Sequence, residues 1–242
     1  MRYSARGAIS FALRFSFFSA FLLGFTLFLG RSFFPPESIP AGADEASRFT
    51  VIIDAGHGGR DGGAVADDGT QEKVLNLSVA KKLADMLLLS DVHVVMTRSE
   101  DVELALPTSD HKKRDDLNAR LAMTEAYENA ILVSIHMNKF PQAQYSGLQV
   151  YYSTGAPESR TVAGVIRNYT KQYLQPQNER EIKAATSSIY LLHRCDIPAV
   201  MVECGFLSNE EELSHLKDET YRRQLALVIA CAAAESLSGV KQ

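Results

Sequence analysis

Short apolar runs alternate with amphipathic segments from Thr50 to the end of the chain, and this alternation restricts the fold more than any other feature. TVIID (Thr50–Asp54), VHVVMT, ILVSIH (Ile131–His136), Leu148–Tyr152 and AVMVE (Ala199–Glu203) have the length and β-branched content of buried strands. Between them, Glu72–Ser90, Asp115–Asn129 and Ser159–Tyr173 repeat apolar residues at helical spacing, and Asn209–Leu216 and Tyr221–Leu237 do so at the end. Strands alternating with helices predict an α/β layer architecture around a mostly parallel sheet. No repeat of solenoid period interrupts the pattern.

The segment before Thr50 is different. Met1–Gly7 is short and basic, Phe15–Gly30 is uninterruptedly apolar, and Arg31 follows it. With Gly7–Leu13 included, and Arg14 snorkelling, the run reaches the roughly 20 residues that cross a bilayer. Ala41-Gly42-Ala43 has the form of a signal-peptidase site, but it lies well beyond the apolar run, so the spacing favours an uncleaved anchor over a cleaved leader. The expected organisation is a signal anchor or signal peptide over residues 1–31, a proline-containing linker over 32–48 and a catalytic domain over 49–242. The basic N-terminus stays inside and the domain is exported, membrane-anchored, or secreted if the segment is cleaved.

Charge removes one class of partner. Residues 1–48 hold five arginines and three acids, which leaves 20 basic and 26 acidic residues for the domain. A net-acidic domain lacks the basic stripe of a nucleic-acid binder. Three cysteines (Cys195, Cys204, Cys231) without a C-x-x-C pair do not make a disulfide framework and read as small apolar side chains.

Three of the five predicted strands end in a side chain that can ligate a metal or carry a proton: His57 just after the first, His136 closing the third, Glu203 closing the fifth. Ligands of open α/β sheets bind outside the carboxyl ends of the strands, so parallel neighbours would bring these residues to one edge. Glu72 opens the helix that follows the glycine-rich loop Ala55–Gly69 and returns over the same edge. Two histidines and a carboxylate, with one position left open, form the ligand set of a hydrolytic zinc site. Imidazole and carboxylate suit zinc better than magnesium or calcium, and they also suit iron. The loop has neither the lysine of a P-loop nor a G-x-G-x-x-G, which argues against a nucleotide. His93, His111, His193 and His215 are assigned to structure or surface. Asp54, Asp61 and Ser134 are near enough in sequence to orient the histidines, and Arg98 and Arg120 could meet substrate carboxylates or form ion pairs.

VIIDAGHGGRDGGAV, QEKVLNLSVAKKL, VSIHMN and VECGFLSN, in this order, resemble the motifs of the zinc-dependent N-acetylmuramoyl-L-alanine amidases of the amidase 3 type, over roughly Thr50 to Leu237. The resemblance implies a central sheet with helices on both faces. It makes His57, Glu72 and His136 the ligands of one zinc ion, Glu203 the catalytic acid/base, and peptidoglycan the substrate. Asn138-Lys139 stands where an asparagine-alanine pair is frequent in the family. Ile197-Pro198 and the bare catalytic domain are similar to the spore-cortex, germination-specific enzymes, which implies muropeptide processing toward muramic-δ-lactam. A zinc peptidase or N-deacetylase acting on another wall amide, or an inactive wall-binding module, is the alternative that the site chemistry alone permits. The short links Met137–Ser146 and Ser153–Glu158 leave no room for a helical plug and predict an open site.

Overall fold

The computed structural model describes residues 49–90 and 92–240. The anchor expected over residues 1–31 and the linker over 32–48 lie outside the described residues, and among these no helix is long and apolar enough to cross a membrane. Strands β1 (Thr50–Ala55), β2 (His93–Met96), β3 (Ala130–Asn138), β4 (Gln149–Tyr152), β5 (Lys183–Ala184) and β6 (Ala199–Phe206) form one sheet in the order β2-β1-β3-β6-β4-β5. β2, β1, β3 and β6 are mutually parallel, while β4 runs antiparallel to β6 and parallel to β5. The helices are α1 (Glu72–Leu87), α2 (Lys112–Glu125), α3 (Glu158–Tyr173), α4 (Tyr190–Arg194), α5 (Glu210–Lys217) and α6 (Glu219–Val240).

Successive strand residues point to opposite faces, so each strand feeds two layers. Val51, Ile53 and Ala55 of β1, Ile131, Val133 and Ile135 of β3, and Val200 and Val202 of β6 join the larger core. There they pack with Leu83 and Leu87 of α1, Val162 and Ile166 of α3, and Leu225 and Ile229 of α6. The alternate residues Ile52, Leu132 and Ala199 enter a smaller cluster with Leu191 and Leu192 of α4, against which Leu121 of α2 packs. Helices thus cover both faces of a mostly parallel sheet, as expected.

The differences are local. α2 begins at Lys112, three residues before the predicted Asp115, and α1 gives way at Leu88–Ser90 to a 3-10 turn. β5 and α4 were not anticipated. β5 is a two-residue exposed pair at the sheet edge, and α4, only five residues long, is too short to show a helical period.

Candidate metal centre

The alternation that builds the core also delivers the site. Asp54, Ser134, His136, Met201 and Glu203 share the face of the smaller cluster, and cross-strand register pairs Asp54 with Ser134, Ser134 with Met201, and His136 with Glu203. β3 carries a bulge between His136 and Asn138, a device that re-aims a side chain at the end of a strand. His57 lies in the turn after β1, where the amide of Gly58 donates to the Asp61 carbonyl (2.9 Å) and that of Asp61 to the Gly58 carbonyl (3.1 Å). His57 adopts φ 61°, a left-handed conformation uncommon for a residue with a Cβ.

Two buried arginines hold this turn. Arg98 donates to the carbonyls of Ala55 (2.8 Å) and Gly56 (2.9 Å), and Arg120 to those of Ala55 (2.9 Å) and His57 (2.8 Å). Arg120 also forms ion pairs with Asp54 and, at 2.7 Å, with Asp116. Both arginines are buried and serve the backbone of the loop, and Arg120 also borders the cavity beside the histidines. Asp54 is therefore a partner of Arg120, Ser134 and Thr97, not of a histidine. Burial alone would raise its pKa, but the Arg120 charge, the His136 charge and the two hydroxyl hydrogen bonds outweigh this and hold it at about 2.

Glu72 is the hub. Its Oε2 lies 3.3 Å from His57 Nε2 and its Oε1 2.9 Å from His136 Nδ1. It accepts from the amides of Ala64 (2.8 Å) and Met137 (3.1 Å) and from Asn76 Nδ2 (3.3 Å). Burial would raise this carboxyl, yet the hydrogen bonds and charges of His136 and His57 hold it well below the usual carboxylate range. On the far side of His57, Nδ1 meets Asp61 Oδ2 at 2.9 Å, leaving Nε2 turned toward Glu72. Burial would lower the His57 pKa, but its bonds to Glu72 and Asp61 lift it to about 9. One ligand atom from each of His57, Glu72 and His136 falls within 4.8 Å of the others, and this group could hold a metal ion.

The surroundings are built to this tolerance. A Cβ on Gly56 would stand 2.2 Å from His136 Nε2, and one on Gly63, itself at φ 68°, 2.5 Å from Glu72 Oε2. Glycine is needed at both positions for close approach. Glu203, opposite His136, keeps Oε2 buried without a hydrogen-bond partner. Burial, opposed by the His136 charge and reinforced by Glu72, pushes its carboxyl up to about 7. A cavity of about 510 Å³ opens beside the histidines, with Lys113, Ser188, Tyr190 and Met201 among its walls. β4 passes into α3 without an added helix, and His57 and His136 keep 20% and 15% of their side chains exposed, so among the described residues no plug covers the cluster.

The four residues singled out from the sequence thus stand together. Asn76 was missed as a support. Of the arginines, expected to meet substrate or form ion pairs, the ion pairs of Arg120 are found, but the donation of both to the turn carbonyls was not anticipated. Asn76 had a signal, since it stands four residues after Glu72 on the same helical face. His93, His111, His193 and His215 lie away from the cluster. His93 bonds Thr50 at 3.0 Å, and His215 stacks on Tyr221.

A mostly parallel α/β sheet with a His–Glu–His group and a buried carboxylate at the carboxyl edge of its strands defines the class of proteins that work at that edge. The model of the Amidase_3 family, N-acetylmuramoyl-L-alanine amidase, matches residues 51–235, and the chain belongs to this family. It is 31% identical over 218 residues to the germination-specific N-acetylmuramoyl-L-alanine amidase of Bacillus subtilis (strain 168), covering 86% of this chain and 89% of that protein. Among solved structures it resembles the CwlD amidase from Clostridioides difficile, in complex with the GerS lipoprotein, with TM-score 0.75, 37% identity and coverage of 79% and 99%. It also resembles the amidase AmiC2 of Nostoc punctiforme, with TM-score 0.67, 28% identity and coverage of 80% and 98%. The chain is an enzyme, a peptidoglycan N-acetylmuramoyl-L-alanine amidase.

Proposed function

We propose that the enzyme is zinc-dependent, with His57, Glu72 and His136 as ligands of one ion and Glu203 as the general acid/base. The observation that carries this reading is the buried, partnerless Oε2 of Glu203 on the residue directly paired with His136, beside three side chains whose donor atoms converge. Nitrogen and carboxylate oxygen donors fit zinc, and Asp61 leaves His57 Nε2 available for it. A zinc ion held by these three side chains would supply Lewis acidity, making water a nucleophile near neutral pH and polarising the scissile carbonyl.

The chain's own residues do the rest. Glu72 neutralises charge at the site and is fixed by two backbone amides and Asn76. Glu203, already near neutrality in its proton affinity, takes a proton from the attacking water at its unpartnered oxygen. It then returns that proton to the departing alanine nitrogen. Without this return the amine would leave as an anion, which an amide does not permit near neutral pH.

The likeness to a germination-specific relative, with Ile197-Pro198 before VECGFLSN, supports spore cortex as the wall acted on and a place before muramic-δ-lactam formation. The apolar Phe15–Gly30 supports an exported domain held at the membrane. The test is digestion of purified cortex and vegetative wall by the protein, with and without chelator, beside elemental analysis. Stoichiometric zinc and chelator-sensitive release of stem peptides from cortex are expected. Release of acetate, or activity indifferent to chelator, would overturn the reading.

A further inference from the structure

Beyond the reacting centre, the two strands that carry His136 and Glu203 continue into a second surface. β3 runs on from His136 to Asn138, and Phe140 follows two residues later; β6 runs on from Glu203 to Phe206. These ends are fastened together. The amide of Leu207 donates to the Asn138 carbonyl (2.7 Å), that of Phe140 to Ser208 Oγ (3.1 Å), and Asn209 Nδ2 to the Ala143 carbonyl (3.0 Å). Three rings meet on this fastened ledge. Phe140 and Tyr145 have centroids 5.3 Å apart, and Tyr145 lies 6.2 Å from Phe206. Phe206 is buried, whereas Phe140 and Tyr145 remain 48% and 41% exposed.

Arg180 closes the ledge. Its guanidinium carbon stands 4.6 Å over the Phe206 ring and 6.0 Å from that of Tyr145, and its Nε is tied to the Ser146 carbonyl. Among the described residues it forms no ion pair within 4.0 Å, though its charge is felt by Glu212, and its terminal N–H groups face the wall of a groove. The groove, of about 620 Å³, runs from Tyr145 and Arg180, with the amide side chains of Gln144 and Gln177 on its wall. Tyr145 lines it with Arg180, the side-chain amides and the acids Glu179, Glu211 and Glu212, and the exposed Phe140 ring adjoins it through its contact with Tyr145. Ring faces beside polar donors and acceptors are the complement of a sugar. A pyranose offers C–H groups on its faces to aromatic rings, and its hydroxyl and acetamido groups at the rim to amide and guanidinium donors.

We propose that Phe140, Tyr145 and Arg180 form a glycan subsite that holds sugars of the peptidoglycan strand adjoining the N-acetylmuramoyl residue under attack. Proximity selects this occupant. Phe140 is four residues from His136, at most about 14 Å of extended chain, which puts it within reach of the sugars next along a polymer whose muramoyl group sits at the cluster. The inference rests on the family activity and not on the identity of the metal.

The test uses the full chain in detergent and two substrates, polymeric wall and a soluble N-acetylmuramoyl-peptide without adjoining sugars. For Phe140→Ala/Tyr145→Ala, kcat/KM on the polymer should fall on the order of tenfold, mainly through KM, with the monomer cut at the wild-type rate. Co-sedimentation with peptide-free glycan strands should weaken in the same variant and in Arg180→Gln, and should recover in Phe140→Tyr/Tyr145→Phe, which keeps both rings. Equal loss on both substrates would make the ledge a support of the reacting centre. No loss on either would leave it to a protein partner. Either result overturns the subsite. Failure of the family reading would instead show as no stem-peptide release by the wild-type protein from either substrate.

Discussion

Replacing Arg120 with methionine tests whether the buried charge network fixes the histidine turn. The guanidinium pairs with Asp54 and Asp116 and donates to the carbonyls of Ala55 and His57, with 2% of its side chain exposed. Methionine fills much of the same space and supplies none of these donors. Removing one partner of a buried ion pair costs about 3–5 kcal/mol, because the other charge is left uncompensated. Two carbonyls losing their donors add roughly 1 kcal/mol each before water relieves them. Set against a native stability of about 5–15 kcal/mol, this is a large fraction.

Urea unfolding followed by far-UV circular dichroism reads the loss directly, the chain having no tryptophan. The pH dependence gives a second handle. In the wild type the folded pKa of Asp54 is depressed, to about 2 from 3.8. Its contribution, on the order of 2 kcal/mol, is present above the unfolded value and disappears as pH falls through about 2. In Arg120→Met the largest opposing influence is gone, and burial moves the carboxyl up from its wild-type value. Protonation then relieves the variant, and the gap to wild type should narrow from pH 7 to pH 4. A loss below about 1 kcal/mol at pH 7, or a gap that stays constant with pH, refutes the reasoning.

Glu203→Gln should lose about 10²–10⁴-fold in kcat while keeping its metal by elemental analysis, since the amide can neither accept nor return the proton; near-wild-type turnover would exclude Glu203 as the acid/base. Asp61→Ala removes the acceptor that fixes His57 Nδ1, and metal affinity measured by competition with a chelating dye should fall roughly 10–100-fold. An unchanged affinity would reduce Asp61 to a turn residue. Gly56→Ala puts a methyl group 2.2 Å from the His136 ring, so wall digestion should be lost with far-UV dichroism retained. An active Gly56→Ala enzyme would mean that the ring has freedom this packing denies it.

The sheet and the four site residues were legible in the sequence for one reason. Strand ends are marked by the break from apolar alternation to glycine or polar residues, and His57, His136 and Glu203 sit at those breaks. Parallel order then does the convergence, because β1, β3 and β6 are consecutive in the sheet. The antiparallel direction of β4 left no mark in its own composition, and the two residues of β5 are exposed and polar. For Arg98 and Arg120 the sequence left open substrate carboxylates or ion pairs, and Arg120 takes the second course with Asp54 and Asp116, as arginine is seldom buried unless paired. What buries them is the turn at Ala55–His57, whose carbonyls have no strand partner and take guanidinium donors instead. Backbone satisfaction of this kind depends on tertiary placement and leaves no periodic trace.

The two faces of the sheet therefore carry different burdens. On one, β1, β3 and β6 give only apolar side chains to a core shared with α1, α3 and α6, and stability comes chiefly from there. On the other, the same three strands give Asp54, Ser134, His136 and Glu203, and the apolar cluster is correspondingly small. Each polar group on that face withdraws a position from hydrophobic burial, a sacrifice of roughly 1.5–3 kcal/mol for a full-sized side chain. The larger core must make up that difference. It follows that shortening Leu83 should weaken the whole fold, whereas changes at Asp54 or Arg120 should act on stability and on the histidine turn together. Glu72 joins the two regimes, because it begins α1, a helix of the apolar layer, yet its carboxylate reaches the edge where the histidines stand.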